Sequence, residues 1–260
     1  MNQRVGIVVP TLGNRPDYIE QCLRSIRSAG DAHILLVAPA SLNSSGLKSS
    51  GLIDSVVVDQ GGGLPAAINQ GINELPSHVE YVNWLGDDDL LTEGSLETTA
   101  KVLDNDAEAV MVFGCCDYID GKGQIIWTNS SGQWAVPLLR FGPDLIPQPG
   151  ALFRRSDFEK VGGLRTDLGW AFDFDLFIRL SKVGKLLFIN QTLAKFRWHP
   201  ESLSVEHRKK SIAEASQVRV SHLPRLLRPI SFIWEYPVRQ ATLIAGKRVT
   251  AKAKSKAKTN

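Results

Sequence analysis

Over the first hundred residues, short continuous apolar runs alternate with longer stretches whose apolar residues recur at helical spacing. Val5–Val9 reads as a buried strand that stops at Pro10. Asn14-Arg15-Pro16 then suits a helix start, with Asn14 as cap and Pro16 in the first turn, and Ile19, Cys22, Leu23 and Ile26 share one face before Gly30. His33–Val37 and Ile53–Val58 predict a second and third strand, separated by a Ser- and Gly-rich loop over Ser41–Gly51. Leu64–Leu75 predicts a helix opening at Pro65, Tyr81–Leu85 a fourth strand, and Gly94–Leu103 the helix after it. Strands that are apolar throughout are buried on both faces, so this alternation predicts a parallel α/β sheet covered by helices.

After residue 109 the pattern changes. Val110–Phe113 predicts a strand, and Cys115–Ile119 with Gln124–Trp127 a hairpin around Asp120-Gly121-Lys122-Gly123. Phe172–Val183 predicts a helix and Leu186–Ile189 a strand. Beyond Glu206 the chain reads as helical and basic, and Gly246–Asn260, a low-complexity Lys/Ala/Thr stretch, as a disordered basic tail.

Composition narrows the class. With 260 residues, 43% hydrophobic and 22% charged, the chain can build a full core, which excludes a wholly disordered or collagen-like protein. Three cysteines, Cys22, Cys115 and Cys116, exclude a disulfide scaffold and suit a reducing, cytosolic setting. The net charge of +3 conceals a division: residues 1–205 carry −7 and residues 206–260 carry +10. The apolar start is too short for a secretory signal. Leu226–Ala245, the nearest approach to a membrane span, is broken by Arg228, Pro229, Glu235, Pro237 and Arg239.

Three segments carry candidate chemistry. In Trp84-Leu85-Gly86-Asp87-Asp88-Asp89 an apolar strand runs straight into three carboxylates. Ligands of open α/β sheets bind outside the carboxyl ends of strands, and Mg²⁺ or Mn²⁺ relieves the repulsion of packed carboxylates. A solvated acidic loop fits the same residues. Asp173, near the N-terminus of a predicted helix, suits a general base beside an apolar wall, or a helix cap with Asp175 exposed. His199, in Phe196-Arg197-Trp198-His199-Pro200, suits a metal, a phosphate or simple loop packing. Gly61-Gly62-Gly63 would let backbone approach a diphosphate, or serve as a plain flexible loop.

In order, these segments resemble the family 2 glycosyltransferases, whose fold is GT-A. Val8-Val9-Pro10-Thr11, Asn14-Arg15-Pro16 and Leu23-Arg24-Ser25 are similar to that family's first strand and helix. Gly63–Ile72 is similar to its helix with an Asn-x-Gly element, here Asn69-Gln70-Gly71, and Asp87-Asp88-Asp89 to its Asp-x-Asp motif. Phe153-Arg154-Arg155, Val161-Gly162-Gly163-Leu164 and Asp173-Phe174-Asp175-Leu176 resemble its acceptor-side half, and Arg197-Trp198-His199-Pro200 with Ser202 and Ser204 the segment that closes the catalytic domain. The resemblance covers about residues 3–205.

It implies a GT-A-like, Rossmann-type, mainly parallel sheet flanked by helices over 1–205. A basic amphipathic helical extension follows over 206–245, and the disordered tail over 246–260. Pro10, Thr11, Asn14, Arg15, Asn69, Gly71, Asp87 and Asp88 would bind a nucleotide-diphosphate sugar. Asp87, Asp89 and His199 would hold Mn²⁺ or Mg²⁺, and Asp173 would deprotonate the acceptor hydroxyl in an inverting displacement. The acceptor would be a glycan or lipid-linked glycan in cell-surface polysaccharide synthesis. The protein would be cytoplasmic and peripheral at the inner face of the membrane, with 206–260 on an anionic lipid surface and no specific nucleic acid. A helical cap packed on the acidic body fits 206–245 equally.

Three positions depart from the family pattern. Val37-Ala38-Pro39-Ala40-Ser41 lacks the acid that usually meets the base, Gly86 stands where the metal motif often begins with Asp, and Phe172 stands where a Glu often precedes the base. A sugar-phosphate nucleotidyltransferase would show a Gly-rich loop where this chain has Thr11-Leu12-Gly13-Asn14-Arg15. A non-catalytic nucleotide-sugar or membrane-binding protein would keep the fold and lose turnover.

Overall fold

A computed structural model describes residues 3–198 and 208–259. His199, Ser202 and Ser204 lie outside the described residues. The first half alternates as its apolar pattern dictates: β1 (Val5–Pro10), α1 (Pro16–Ala29), β2 (Ala32–Ala38), α2 (Ser45–Ser49), β3 (Ser55–Val58), α3 (Leu64–Glu74) and β4 (Tyr81–Trp84). Then come β5 (Leu90–Leu91), α4 (Ser95–Asn105), β6 (Ala109–Ile119), β7 (Ile125–Asn129), α5 (Gly132–Leu138), β8 (Leu152–Arg154), α6 (Arg155–Lys160), α7 (Phe172–Leu180) and β9 (Lys185–Arg197). Helix α8 (Arg208–His222), a 3₁₀ turn (Arg228–Ile230) and α9 (Phe232–Thr259) complete the chain.

One mixed sheet runs in the order β3-β2-β1-β4-β8-β6-β9-β5, with β7 paired to β6. The pairs β1–β2, β2–β3, β1–β4 and β6–β9 are parallel, so β1 to β4 deliver their carboxyl ends to one edge. Strand β8 enters antiparallel between β4 and β6. Successive residues of β1 go to opposite faces and all but Pro10 are buried: Val8 packs into the layer with α3 and α7, Ile7 and Val9 into the layer with α1 and α4. Burial on both faces is why these strands carry unbroken apolar runs.

Several sequence expectations are corrected. The segments 110–113 and 115–119 are one strand, β6, because β9 runs beside it for its whole length, and Gly114 lets the two approach. A Cβ there would lie 2.5 Å from the Gln191 carbonyl oxygen. Strand β9 likewise extends beyond Leu186–Ile189 to Arg197. The loop over Ser41–Gly51 contains the short α2. Asn14 does not cap α1: Arg15 occupies the cap with no side-chain bond, and Pro16 opens the helix. The stretch 246–259, expected to be disordered, continues α9, since Ala and Lys are good helix formers. Averaged over their whole lengths α8 and α9 show no strong apolar face, although the first turns of α9 carry several exposed apolar residues.

Helix α3 reaches the sheet through Gly71. A Cβ at that position would lie 2.4 Å from Val8 Cγ1 and 2.9 Å from Val37 Cγ2, both on stiff, buried side chains. Gly71→Ala is therefore expected to destabilise the chain by about 1–3 kcal/mol in urea unfolding, despite the better helix propensity of Ala.

Candidate active site

Strand β4 ends at Trp84, whose ring stacks on Phe153 of β8 (centroids 5.4 Å apart), and Phe153 stacks in turn on Phe177 of α7 (6.3 Å). This aromatic column fixes the point where the chain turns into Gly86–Asp89. Leu85 N–H donates to the Val8 carbonyl (3.0 Å), and Asp89 N–H to the Gly86 carbonyl (3.1 Å), closing a tight turn. A Cβ on residue 86 would press to 3.1 Å from oxygens of both Asp88 and Asp89, which accounts for Gly where the family motif often begins with Asp.

The three carboxylates face different partners. Thr11, at the exit of β1, donates to Asp87 Oδ2 (2.5 Å). Arg15 donates to Asp88 Oδ2 (2.7 Å) and lies 3.9 Å from Asp87 Oδ1. Asp89 is buried and its Oδ1 accepts the Arg197 N–H (2.9 Å). Burial, followed by the charge of Asp88, pushes the Asp89 carboxyl well above the usual range, against the opposing pull of Arg197.

Arg197, 2% exposed at the end of β9, ties the surrounding segments together. Its guanidinium donates to the Asp88 carbonyl (2.9 Å), the Asp120 and Gly121 carbonyls of the hairpin turn (3.3 Å each) and Gln21 Oε1 of α1 (3.0 Å), and it lies over the Tyr18 ring at 4.3 Å. The sequence placed Arg197 in a motif but gave no sign of this clamp.

On the other side of the cleft, α7 presents Asp173, part-buried, with Oδ1 accepting the Phe174 N–H (2.7 Å). Burial pushes its carboxyl up to about 6, the charge of Glu214 adding to the rise and backbone N–H bonds opposing it. The turn before α7 is held by the extension: Glu214 of α8 accepts the N–H groups of Gly169 (3.0 Å), Trp170 (2.6 Å) and Ala171 (2.7 Å). Asp175, expected to be exposed, is fully buried; Arg179 (2.7 Å) and His222 of α8 (2.8 Å) hold it. Burial works against its ionised form, yet those hydrogen bonds and charges keep its carboxyl below the usual range. Glu214 and His222 lie some forty residues from their partners in sequence, so no local pattern announced them.

Tyr118 of β6 lies within electrostatic reach of both carboxylate sites: burial pushes its phenol up, and the charges of Cys116, Asp144, Asp89 and Asp173 add to the rise. Asp144, in the segment leading to β8, was not singled out from the sequence. Asn83 of β4 and Gln148 bind that segment to the sheet: Asn83 donates to the Pro149 carbonyl (2.9 Å), and Gln148 to Asn83 Oδ1 and the Trp84 carbonyl (2.9 Å each).

The other sequence candidates separate into two groups. Pro10 ends β1, and exposed Asn14 lies in the loop carrying Thr11 and Arg15, beside the Asp turn. Asn69 spends its amide on the backbone of Leu164, donating to the carbonyl (2.8 Å) and accepting the N–H (2.9 Å). Gly71 is a packing contact. No acid follows β2, but Asp59, at the end of β3, donates its N–H to the Ala38 carbonyl (2.8 Å) and so stands beside the end of β2. Gly61, Gly62 and Gly63 next to it all have positive φ (82°, 97° and 87°), a run that favours glycine.

Carboxylate oxygens at a strand end fit a hard divalent cation. Among the described residues no three potential ligands converge on one point.

The profile of Glycosyl transferase family 2 matches residues 6–162, more than half of the chain. The chain belongs to this family. A glycosyltransferase of Rickettsia felis, itself uncharacterized, is 25% identical over 217 residues, 76% of this chain and 34% of that protein. One from Rickettsia prowazekii is 23% identical, over 75% of this chain and 64% of its own. The chain thus spans about a third of the length of the first of these relatives. Among solved structures, the mannosyltransferase PcManGT from Pyrobaculum calidifontis, in complex with GDP-Man and Mn²⁺, superposes with a TM-score of 0.64 at 16% identity, over 100% of this chain and 81% of that one. S. aureus TarS 1–349, in complex with UDP-GlcNAc, gives 0.63 at 12% identity, over 87% and 69%. The fold of this family 2 chain is therefore GT-A, an α/β sheet with its helices on both faces.

Asp175→Asn, which leaves Arg179 and His222 facing a neutral amide, is expected to cost about 3 kcal/mol at neutral pH. Because the Asp175 carboxyl is depressed in the fold, its contribution is full above the unfolded value of about 4 and fades as pH falls below it. Urea unfolding between pH 3 and 7 should show that loss in the parent and a flatter profile in the variant.

Proposed function

We propose that the chain transfers a sugar from a nucleotide-diphosphate sugar to an acceptor hydroxyl, with inversion at the anomeric carbon. What supports this reading is the presence of two different carboxylate sites within electrostatic reach of Tyr118: Asp87–Asp89 at the sheet edge, and Asp173 with its carboxyl raised to about 6. A carboxyl so raised is ionised at neutral pH yet basic enough to take a proton as the acceptor oxygen attacks. The acceptor O–H bond breaks to Asp173, the new glycosidic bond forms on one face of the sugar, and the bond to the diphosphate breaks on the other with its electron pair.

The loop from β1 would hold the donor, with Thr11 and Arg15 shared between the Asp turn and the nucleotide. Asp59 and the glycine run beside it fit the base and ribose end, in place of the acid missing after β2. Asp87 with Asp88 or Asp89 would hold Mn²⁺ or Mg²⁺, and a bound cation would supply the positive charge that stabilises the departing diphosphate. The Mn²⁺ in the PcManGT complex supports that reading. The acceptor is a glycan or lipid-linked glycan of the cell surface, and the chain works at the cytoplasmic face of a membrane. No described helix is long and apolar enough to cross one.

Transfer should rise with pH through about 6 and level above it, as Asp173 loses its proton. Asp173→Asn should remove that limb and lower turnover by at least about 10²-fold while donor binding by calorimetry stays near the parent value; equal loss of binding and turnover overturns the assignment. Asp89→Asn keeps an acceptor for the Arg197 N–H, so its melting temperature without metal should stay close to the parent's. Donor binding should weaken only when Mn²⁺ is present, and a metal-independent loss would remove Asp89 from the cation site.

A further inference from the structure

Helix α9 is turned inside out. The buried residues at its start are polar: Ser231, just before the helix, and Glu235 in its first turn are 8% and 6% exposed. Its large apolar residues face outward: Phe232 is 68%, Ile233 61% and Tyr236 69% exposed, and Ile244 follows on the Ile233 side at helical spacing. The inversion is held by a buried ion pair. Arg219 of α8 donates to both carboxylate oxygens of Glu235 (2.8 Å each) and to the Gly142 carbonyl (2.9 Å), and Ser216 donates to Glu235 Oε2 (2.5 Å). The orientation is thus fixed by a satisfied polar network, since turning the helix over would leave Arg219 without its carboxylate.

Two exposed apolar residues of the catalytic domain stand toward this helix through Trp234. Phe141 packs edge-on against Trp234 (centroids 5.7 Å apart), and Trp134 of α5, 58% exposed, belongs to the same segment of chain. From Tyr236 to the end the sequence carries seven basic residues and no acidic one. Aromatic and aliphatic side chains flanked by Lys and Arg insert into the headgroup boundary of an anionic bilayer, whereas an apolar protein interface has no need of so one-sided a charge.

We infer that Trp134, Phe141, Phe232, Ile233, Tyr236 and Ile244 form one composite surface, joined through the Phe141–Trp234 contact, that docks on an anionic lipid bilayer. It deepens the placement at a membrane proposed above and is independent of the chemistry assigned to Asp173. Because the surface spans α5 as well as α9, docking fixes the tilt of the whole catalytic domain and so the direction in which its cleft meets a lipid-linked acceptor.

The test is flotation of the full chain with phosphatidylcholine vesicles containing about one third phosphatidylglycerol, at low and high salt. Binding is expected in the mixed vesicles and not in pure phosphatidylcholine. Ile233→Ser with Tyr236→Ser should weaken it at least about tenfold with the basic tail intact, and Trp134→Ser alone about threefold. Deleting 246–260 should leave a weaker attachment that is less sensitive to salt. Unchanged melting temperature and unchanged donor hydrolysis without vesicles establish that the variants are folded. Wild-type chain that fails to float, or serine variants that bind as the parent does, would overturn the inference, and a parent-like Trp134→Ser would overturn its composite form. A concentration-dependent dimer by light scattering, dissolved by the α9 substitutions, would show a second copy on this surface and overturn it as well. Donor hydrolysis that fails while flotation succeeds would sink the proposed reaction and leave the lipid surface standing.

Discussion

A guanidinium that is removed from water must find acceptors, and Arg197 finds them on three separate segments at once. The carbonyl of Asp88, the carbonyls of the β6–β7 turn and the side chain of Gln21 all converge on it, while its own backbone N–H holds Asp89. None of those carbonyls belongs to a regular ladder; the Asp120 carbonyl also accepts the Gly123 N–H and the Gly121 carbonyl the Tyr18 hydroxyl, and the arginine adds a second donor to each. The acidic turn, the start of α1 and the far hairpin are thereby set in one geometry. Desolvation makes the arrangement demanding: the groups that raise the Asp89 carboxyl also leave few ways to rearrange around it.

The same economy operates on the acceptor side. Helix α7 carries the proposed base, but its position is set from α8, through Glu214 on three backbone N–H groups and His222 on Asp175. The basic C-terminal region therefore begins as part of the machinery that shapes the cleft. The +10 charge of residues 206–260 hides this, because the three acidic residues it contains include Glu214 and Glu235, each placed at a junction.

Local pattern made β1 to β4 and their helices legible, because a strand buried on both sides writes itself as an unbroken apolar run. It also located the Asp turn, since a strand end followed by charge is a local event. What could not be read depended on distant partners. Strand β6 looked like two strands until β9 lay beside it, and Asp175 looked solvent-exposed because nothing nearby in sequence signals that Arg179 and His222 enclose it. Asn69 and Gly71 were chosen for resemblance to a motif, and their surroundings show why such residues stand there for packing as well: one clamps Leu164 and the other admits Val8. Asp59 has no local signature, since it comes to the end of β2 from the neighbouring strand, across the sheet rather than along the chain.

The long pairing of β6 with β9, from Ala109 to Ile119, constrains how the cleft can work. These two strands carry the end of the acidic turn's clamp at one extremity and the support of α7 at the other. Three register shifts interrupt the ladder, yet pairing resumes after each, so the two strands still tie the two carboxylate sites together along their length. Give in the structure is then expected at the rim, where the glycine run at 61–63 stands, rather than between the two carboxylate sites.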